Sequence, residues 1–208
     1  AEIVMLERGP FISYANCGLP YYVGGTIANQ SALTLQTPES FKRRFSVDVR
    51  VRHEAVSIDP AGKTVTVRNL TDGSQYEERY DSLILSPGAE PVIPPMQGLE
   101  GAPVFTLRTI PDALAIRGYV QERRPRSAVV VGGGMIGTEM AENLKAAGLA
   151  VTIVELQDHV IAPLDFEMAA DVGQYLEGQG IRLVLGRGVT ALEPRDTGLR
   201  VILDEGQL

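Results

Sequence analysis

The chain has 208 residues, 44% of them hydrophobic and 22% charged, which is ordinary composition for a globular fold. Lys plus Arg number 19 against 26 Asp plus Glu, and the net charge of −7 argues against a nucleic-acid or anionic-membrane surface. The single cysteine, Cys17, excludes an intrachain disulfide framework and a multi-cysteine zinc site.

No apolar run approaches the ~18 residues that a membrane span needs. The opening AEIVMLERGP has neither the basic nor the long apolar region of a signal peptide. The expectation is a cytoplasmic enzyme or binding protein. Residues 2–6 read as a buried strand, followed by the aromatic, Gly/Pro-rich RGPFISYANCGLPYYVGG. Residues 37–45 predict a short helix, with Thr37 as N-cap, Pro38 at the first helical position and Glu39 in the first turn. Period-two alternation marks strands at 47–51, 55–59 and 63–70, and turns at 59–62 and 71–73 suggest one small antiparallel sheet. The apolar DSLILS, 81–86, reads as a further strand ending at Pro87-Gly88. The Pro/Gly-rich stretch 90–104 reads as a connector, giving domains over 1–106 and 107–208.

The second domain shows a cleaner alternation. A helix is expected at 109–124, a strand at 127–133, a helix at 135–148 and a strand at 150–156. A helix at 165–180, a strand at 181–186 and two shorter strands follow. That order specifies an α/β fold with a parallel sheet.

Gly132, Gly134 and Gly137 spell G-x-G-x-x-G in VVVGGGMIGTEM. The pattern follows a predicted strand and opens a predicted helix. Glu155, 18 residues beyond Gly137, ends the next strand, near the ~20 expected of a dinucleotide fingerprint. Gly132 suits the tight turn, Gly134 the approach of a pyrophosphate, and Gly137 close helix–strand packing. With Gly133, Met135 and Ile136 they form one phosphate-facing turn at a helix N-terminus. Glu155 accepts from ribose hydroxyls and repels a 2′-phosphate, which favours NADH over NADPH. Without a ligand the same pattern is only a glycine-rich turn.

A lone cysteine is most often a small buried hydrophobe. Around Cys17, however, Asn16 precedes Gly18-Leu19-Pro20, so Asn16 is expected to cap a helix beginning at Cys17. A thiol at a helix start faces unpaired N–H groups that favour the thiolate.

Residues 1–25, with the core NCGLPYY, resemble the redox-cysteine segment of coenzyme A-disulfide reductases. These are single-cysteine, FAD-dependent pyridine nucleotide-disulfide oxidoreductases. LILSPGAEP (83–91), LRTIPDALAI (107–116), VVVGGGMIGTEMAENL (129–144) and VTIVELQDHVIAPLD (151–165) continue the resemblance over essentially the whole chain. It implies Rossmann-like FAD- and NAD(P)H-binding domains with an inserted antiparallel sheet. It implies that Glu7 holds the adenosine ribose of FAD, with Arg8 near the adenine. Ala55, Ser86, Gly88 and Arg108 would lie along the flavin, and Glu139 between nicotinamide and flavin. Ser13 and Asn16 would border a coenzyme A site beside Cys17, and Arg43 and Arg44 would meet its phosphates. Each of these residues also has a plain reading as a turn, strand-end or solvated helix residue.

The implied chemistry passes electrons from NAD(P)H through FAD to a Cys17–coenzyme A mixed disulfide, in a homodimer. NADH oxidase, peroxidase and persulfide reductase relatives share the architecture, with Cys17 cycling as sulfenate or persulfide. A nucleotide-binding module without catalysis is the third reading. The resemblance further implies a first G-x-G-x-x-G unit before residue 1, and later flavin, nucleotide and dimerisation segments after residue 208. The isolated chain is therefore expected not to hold FAD in the usual way, and to be inactive alone.

Overall fold

A computed structural model describes residues 1–196 and 198–208. Along the chain run β1 (Ile3–Glu7), β2 (Ser13–Tyr14), α1 (Leu19–Gly24), β3 (Thr34–Gln36), α2 (Pro38–Phe45), β4 (Val47–Val51), β5 (His53–Asp59), β6 (Thr64–Asn69) and β7 (Gln75–Arg79). After a long connection come α3 (Ile110–Arg123), β8 (Ser127–Val131), α4 (Met135–Ala146), β9 (Ala150–Glu155), α5 (Phe166–Gly178), β10 (Arg182–Leu185), β11 (Val189–Arg195) and β12 (Gly198–Leu203). The chain divides into two packed units. One comprises residues 1–15 and 31–90, the other 16–30 and 91–208.

In the first unit β1 pairs in parallel with β4, Ile3 opposite Val47 and Glu7 opposite Val51. Parallel neighbours need a crossover, and the last part of it is α2. Thr37 and Ser40 cap α2 reciprocally, Ser40 N–H donating to Thr37 Oγ1 at 3.2 Å and Thr37 N–H to Ser40 Oγ at 2.9 Å. β5, β6 and β7 form a separate antiparallel sheet with β6 in the middle. Its apolar side chains Val65 and Val67 are buried.

Two expectations are corrected here. β4 does not join the antiparallel sheet. Alternation marks a strand but not its partner, and Arg52, at φ 57°, separates β4 from β5. Residues 81–86 form no strand, and Ile84 is 87% exposed. An apolar run becomes a strand only where a neighbour takes its N–H and C=O groups, and no described strand pairs with this one.

The second unit is built on a parallel sheet in the order β10-β9-β8. α4 connects β8 to β9 and α5 connects β9 to β10, the β-α-β alternation the sequence suggests. The central strand β9 buries Val151, Ile153 and Val154. β11 and β12 form a hairpin whose Leu192, Val201 and Leu203 pack with Val154. α1 packs on α3 and α4. The architecture is mixed α/β and Rossmann-like, with a small antiparallel sheet inserted.

Candidate functional site

The G-x-G-x-x-G turn sits between the end of β8 and the start of α4. Gly132 takes φ 102°, and its N–H donates to Val154 O on the next strand at 2.8 Å. A Cβ at Gly137 would lie 2.0 Å from Gly132 O, so only glycine lets α4 come this close to the turn. A Cβ at Gly134 would meet nothing within 4 Å, which leaves the space in front of the helix start open. Gly134, Met135 and Ile136 are exposed there, although Met135 and Ile136 are apolar. Gly133 is buried against Val160 and Glu155.

Glu155 closes the turn from β9. One carboxylate oxygen accepts from Gly133 N–H at 2.5 Å and the other from Gln157 N–H at 2.8 Å. A carboxylate has about four acceptor positions, so further capacity remains for ribose hydroxyls. Open space at Gly134, amides at a helix start and an acid at the adjacent strand end fit an adenine dinucleotide. Glu139 lies one turn into α4, partly buried, and its carbonyl accepts from Asn143 Nδ2 at 2.8 Å. Past Glu155, His159 Nδ1 lies 2.6 Å from Asp158 Oδ1. That hydrogen bond raises the His159 pKa above its ordinary value of 6.5.

Cys17 is a free, exposed thiol in a 3₁₀ turn spanning Asn16–Gly18. The expected cap does not form. α1 begins at Leu19 with Gly18 as N-cap, and no side chain caps it. Pro20 fixes this start, because a proline ring fits only in the first turn of a helix. Asn16 is exposed in the turn itself. Asn16, Cys17 and Arg108 belong to the same packed unit as the glycine turn. Arg108 N–H donates to Asp112 Oδ2 at 3.0 Å at the start of α3.

The other candidates fall in the first unit. Glu7 ends β1 and accepts from Gly9 N–H at 2.6 Å, the same acid-to-second-following-amide contact that Glu155 makes. Arg8 pairs with Glu90, whose carboxyl is held below the usual range by that guanidinium. The pair is exposed, so it adds little stability. Ser13 stands in β2, opposite Gln36. Arg43 and Arg44 are exposed in the last turn of α2. Ala55 is exposed beside a β-bulge in β5. Ser86 and Gly88 lie exposed on the connection. Among the described residues no three His, Cys, Asp or Glu side chains converge as a metal cluster, and no helix is long and apolar enough to cross a membrane.

The sequence reading missed Arg117 of α3. Its Nη1 donates to Tyr22 O and Ile27 O at 3.0 Å and to Ala28 O at 3.3 Å. The guanidinium carbon lies 4.3 Å from the Tyr22 ring centroid. The signal was present, since Arg117 interrupts the apolar stripe Ile110, Ala113 and Val120 at helical spacing.

A family model described as pyridine nucleotide-disulphide oxidoreductase matches residues 1–208. An NADH oxidase of Methanocaldococcus jannaschii is 35% identical over 204 residues, covering 98% of this chain and 45% of that protein. A coenzyme A disulfide reductase of Staphylococcus haemolyticus is 33% identical over 193 residues, covering 93% of this chain and 43% of that protein. The chain thus spans less than half the length of these relatives. Among solved structures, reduced Bacillus anthracis CoADR-RHD superposes with a TM-score of 0.95 at 47% identity, covering 100% of this chain and 37% of that one.

Proposed function

The chain belongs to the pyridine nucleotide-disulphide oxidoreductase family, and from that premise we propose that the complete protein is an FAD-dependent coenzyme A-disulfide reductase. The observation that carries this reading is the lone, exposed Cys17 in the same packed unit as the nucleotide turn. Cys17 is the single cysteine of these 208 residues, so within them it has no thiol partner, and in this reading it exchanges with an external disulfide. Likeness to coenzyme A disulfide reductase over most of the chain supports that class of substrate.

In this reading NAD(P)H lies with its pyrophosphate at Gly132–Gly137 and its adenosine ribose on Glu155. The acid at that position favours NADH. Glu7, Arg8, Ala55, Ser86, Gly88 and Arg108 hold FAD. Glu7 fits that role because it repeats the contact of Glu155 at the end of a parallel strand. Bound FAD supplies a two-electron relay between nicotinamide and disulfide. Glu139 borders the nicotinamide from α4.

Ser13, Asn16, Arg43 and Arg44 bind coenzyme A, the two arginines as donors to phosphate. Cys17 thiolate attacks one sulfur of coenzyme A disulfide. A Cys17–coenzyme A bond forms, the original S–S bond breaks, and one coenzyme A thiolate leaves and takes a proton. Two electrons from NAD(P)H reduce the mixed disulfide, returning Cys17 as thiolate with the second coenzyme A as thiol. The balance is NAD(P)H, one proton and one disulfide giving NAD(P)⁺ and two thiols. The enzyme acts as a cytoplasmic homodimer.

The test is anaerobic NADH oxidation by the complete, FAD-loaded protein with coenzyme A disulfide. Turnover is expected, and Cys17→Ser is expected to lower it by about 100-fold or more. The NADH oxidase relative favours a second reading, in which Cys17 cycles as a sulfenate. NADH consumption that needs O2 or peroxide, and no coenzyme A, would establish that reading instead.

A further inference from the structure

We propose that Arg117 is a positioning residue, which fastens the Cys17 segment to the nucleotide-binding unit and sets where the thiol stands. The inference rests on the reading of Cys17 as the exchanging thiol.

α1 has only six residues, too few for a helix that stands alone in water. Its last carbonyls also need partners. Gly25 N–H serves Tyr22 O and Ile27 N–H serves Tyr21 O, and Arg117 from α3 adds a donor to Tyr22 O and to two carbonyls just beyond the helix. One guanidinium nitrogen serves Tyr22 O, Ile27 O and Ala28 O, while the guanidinium carbon lies over the Tyr22 ring. Tyr22 is itself buried. Lysine offers donors but no planar group to stack.

A second, separate contact ties α1 to α4. A Cβ on Gly24 would lie 2.6 Å from Asn143 Oδ1 and 2.9 Å from both Asn143 Cβ and Asn143 O. The two helices therefore touch at backbone distance, and Asn143 is a buried polar residue held by Glu139 O. Residues 16–30 belong to the same packed unit as residues 91–208, and these two contacts are part of what holds them there. The thiol is thus placed by the same scaffold, α3 and α4, that carries the nucleotide turn. Arg117 holds the far end of α1 from Cys17. Loosening it leaves an already exposed thiol chemically competent but badly aimed, and misplacement costs rate only where a bound partner must be met.

The experiment compares Arg117→Met and Arg117→Lys in the complete, FAD-loaded protein. For Arg117→Met, kcat with coenzyme A disulfide is expected to fall about tenfold while KM for NADH stays within about twofold. Alkylation of Cys17 by iodoacetamide, which needs no aim, is expected to stay within about twofold. Arg117→Lys is expected to fall between wild type and Arg117→Met, and it serves as the test if the methionine variant does not fold. Faster amide exchange over residues 19–28 with unchanged exchange over β8 and β9 would confirm that the loosening is local. An unchanged kcat, or kcat and alkylation falling together, would overturn the proposal. Cys17→Ser run alongside keeps the two failures apart. If that variant still turns over disulfide, the reading of Cys17 is wrong. If it is dead while both Arg117 variants match wild type, only the positioning role is wrong.

Discussion

Glu155 holds Gly133 N–H and Gln157 N–H with its two carboxylate oxygens, so the glycine turn is stiffened from β9 by the same side chain that is proposed to hold the ribose. Glu7 repeats half of that arrangement at the end of β1. Beyond Glu155 the chain depends on a titratable pair. Asp158 raises the His159 pKa, so the protonated imidazole is bound more tightly in the folded state. A raised folded pKa contributes stability that is fully present below the ordinary value of 6.5 and is lost as pH rises through the folded value. The contribution of this pair to the segment following Glu155 is therefore expected to fall as pH rises through the folded His159 pKa. An NMR titration of His159 should show a midpoint above 6.5, and Asp158→Asn should lower it. A wild-type midpoint at or below 6.5 would show that the pair does not form.

Among the elements, α3 has two tasks and a strong start. Asp112 Oδ2 accepts from Arg108 N–H at 3.0 Å, from Thr109 N–H at 2.7 Å and from Thr109 Oγ1 at 2.8 Å. Those bonds satisfy donors at the helix start and place the Arg108 backbone. Farther along, α3 carries Arg117 to the end of α1. Asp112→Ala leaves the donors without this partner and is expected to cost about 1–2 kcal/mol of unfolding free energy. Urea denaturation measures it, and a loss below about 0.5 kcal/mol would mean that solvent serves these donors equally well. α4 is similarly constrained at two points. Gly137 lets its start approach Gly132, and Asn143 lets its body meet Gly24.

Across the whole molecule, local pattern was legible and partnership was not. The parallel α/β order of the second unit and the role of Gly137 could be read because adjacent residues state them: strand, glycine turn, helix, strand, acid. The cap on α2 was legible for the same reason. The pairing of β4 with β1 was not, since period-two alternation is the same for parallel and antiparallel neighbours. Residues 81–86 are apolar enough for a strand but have no described strand to bond. Asn16 has the right chemistry for a cap, yet Pro20 moves the helix start past it. The contact of α1 with α3 includes a guanidinium 89 to 95 residues away from the carbonyls it bonds, which no local pattern encodes.

In the proposed reaction Cys17 exchanges with coenzyme A disulfide. The most direct measurement is the intact mass of the protein after incubation with coenzyme A disulfide, before and after a reductant. A gain of one coenzyme A is expected, reversed by the reductant and absent in Cys17→Ser. No adduct, or only oxygen added at Cys17, would contradict it.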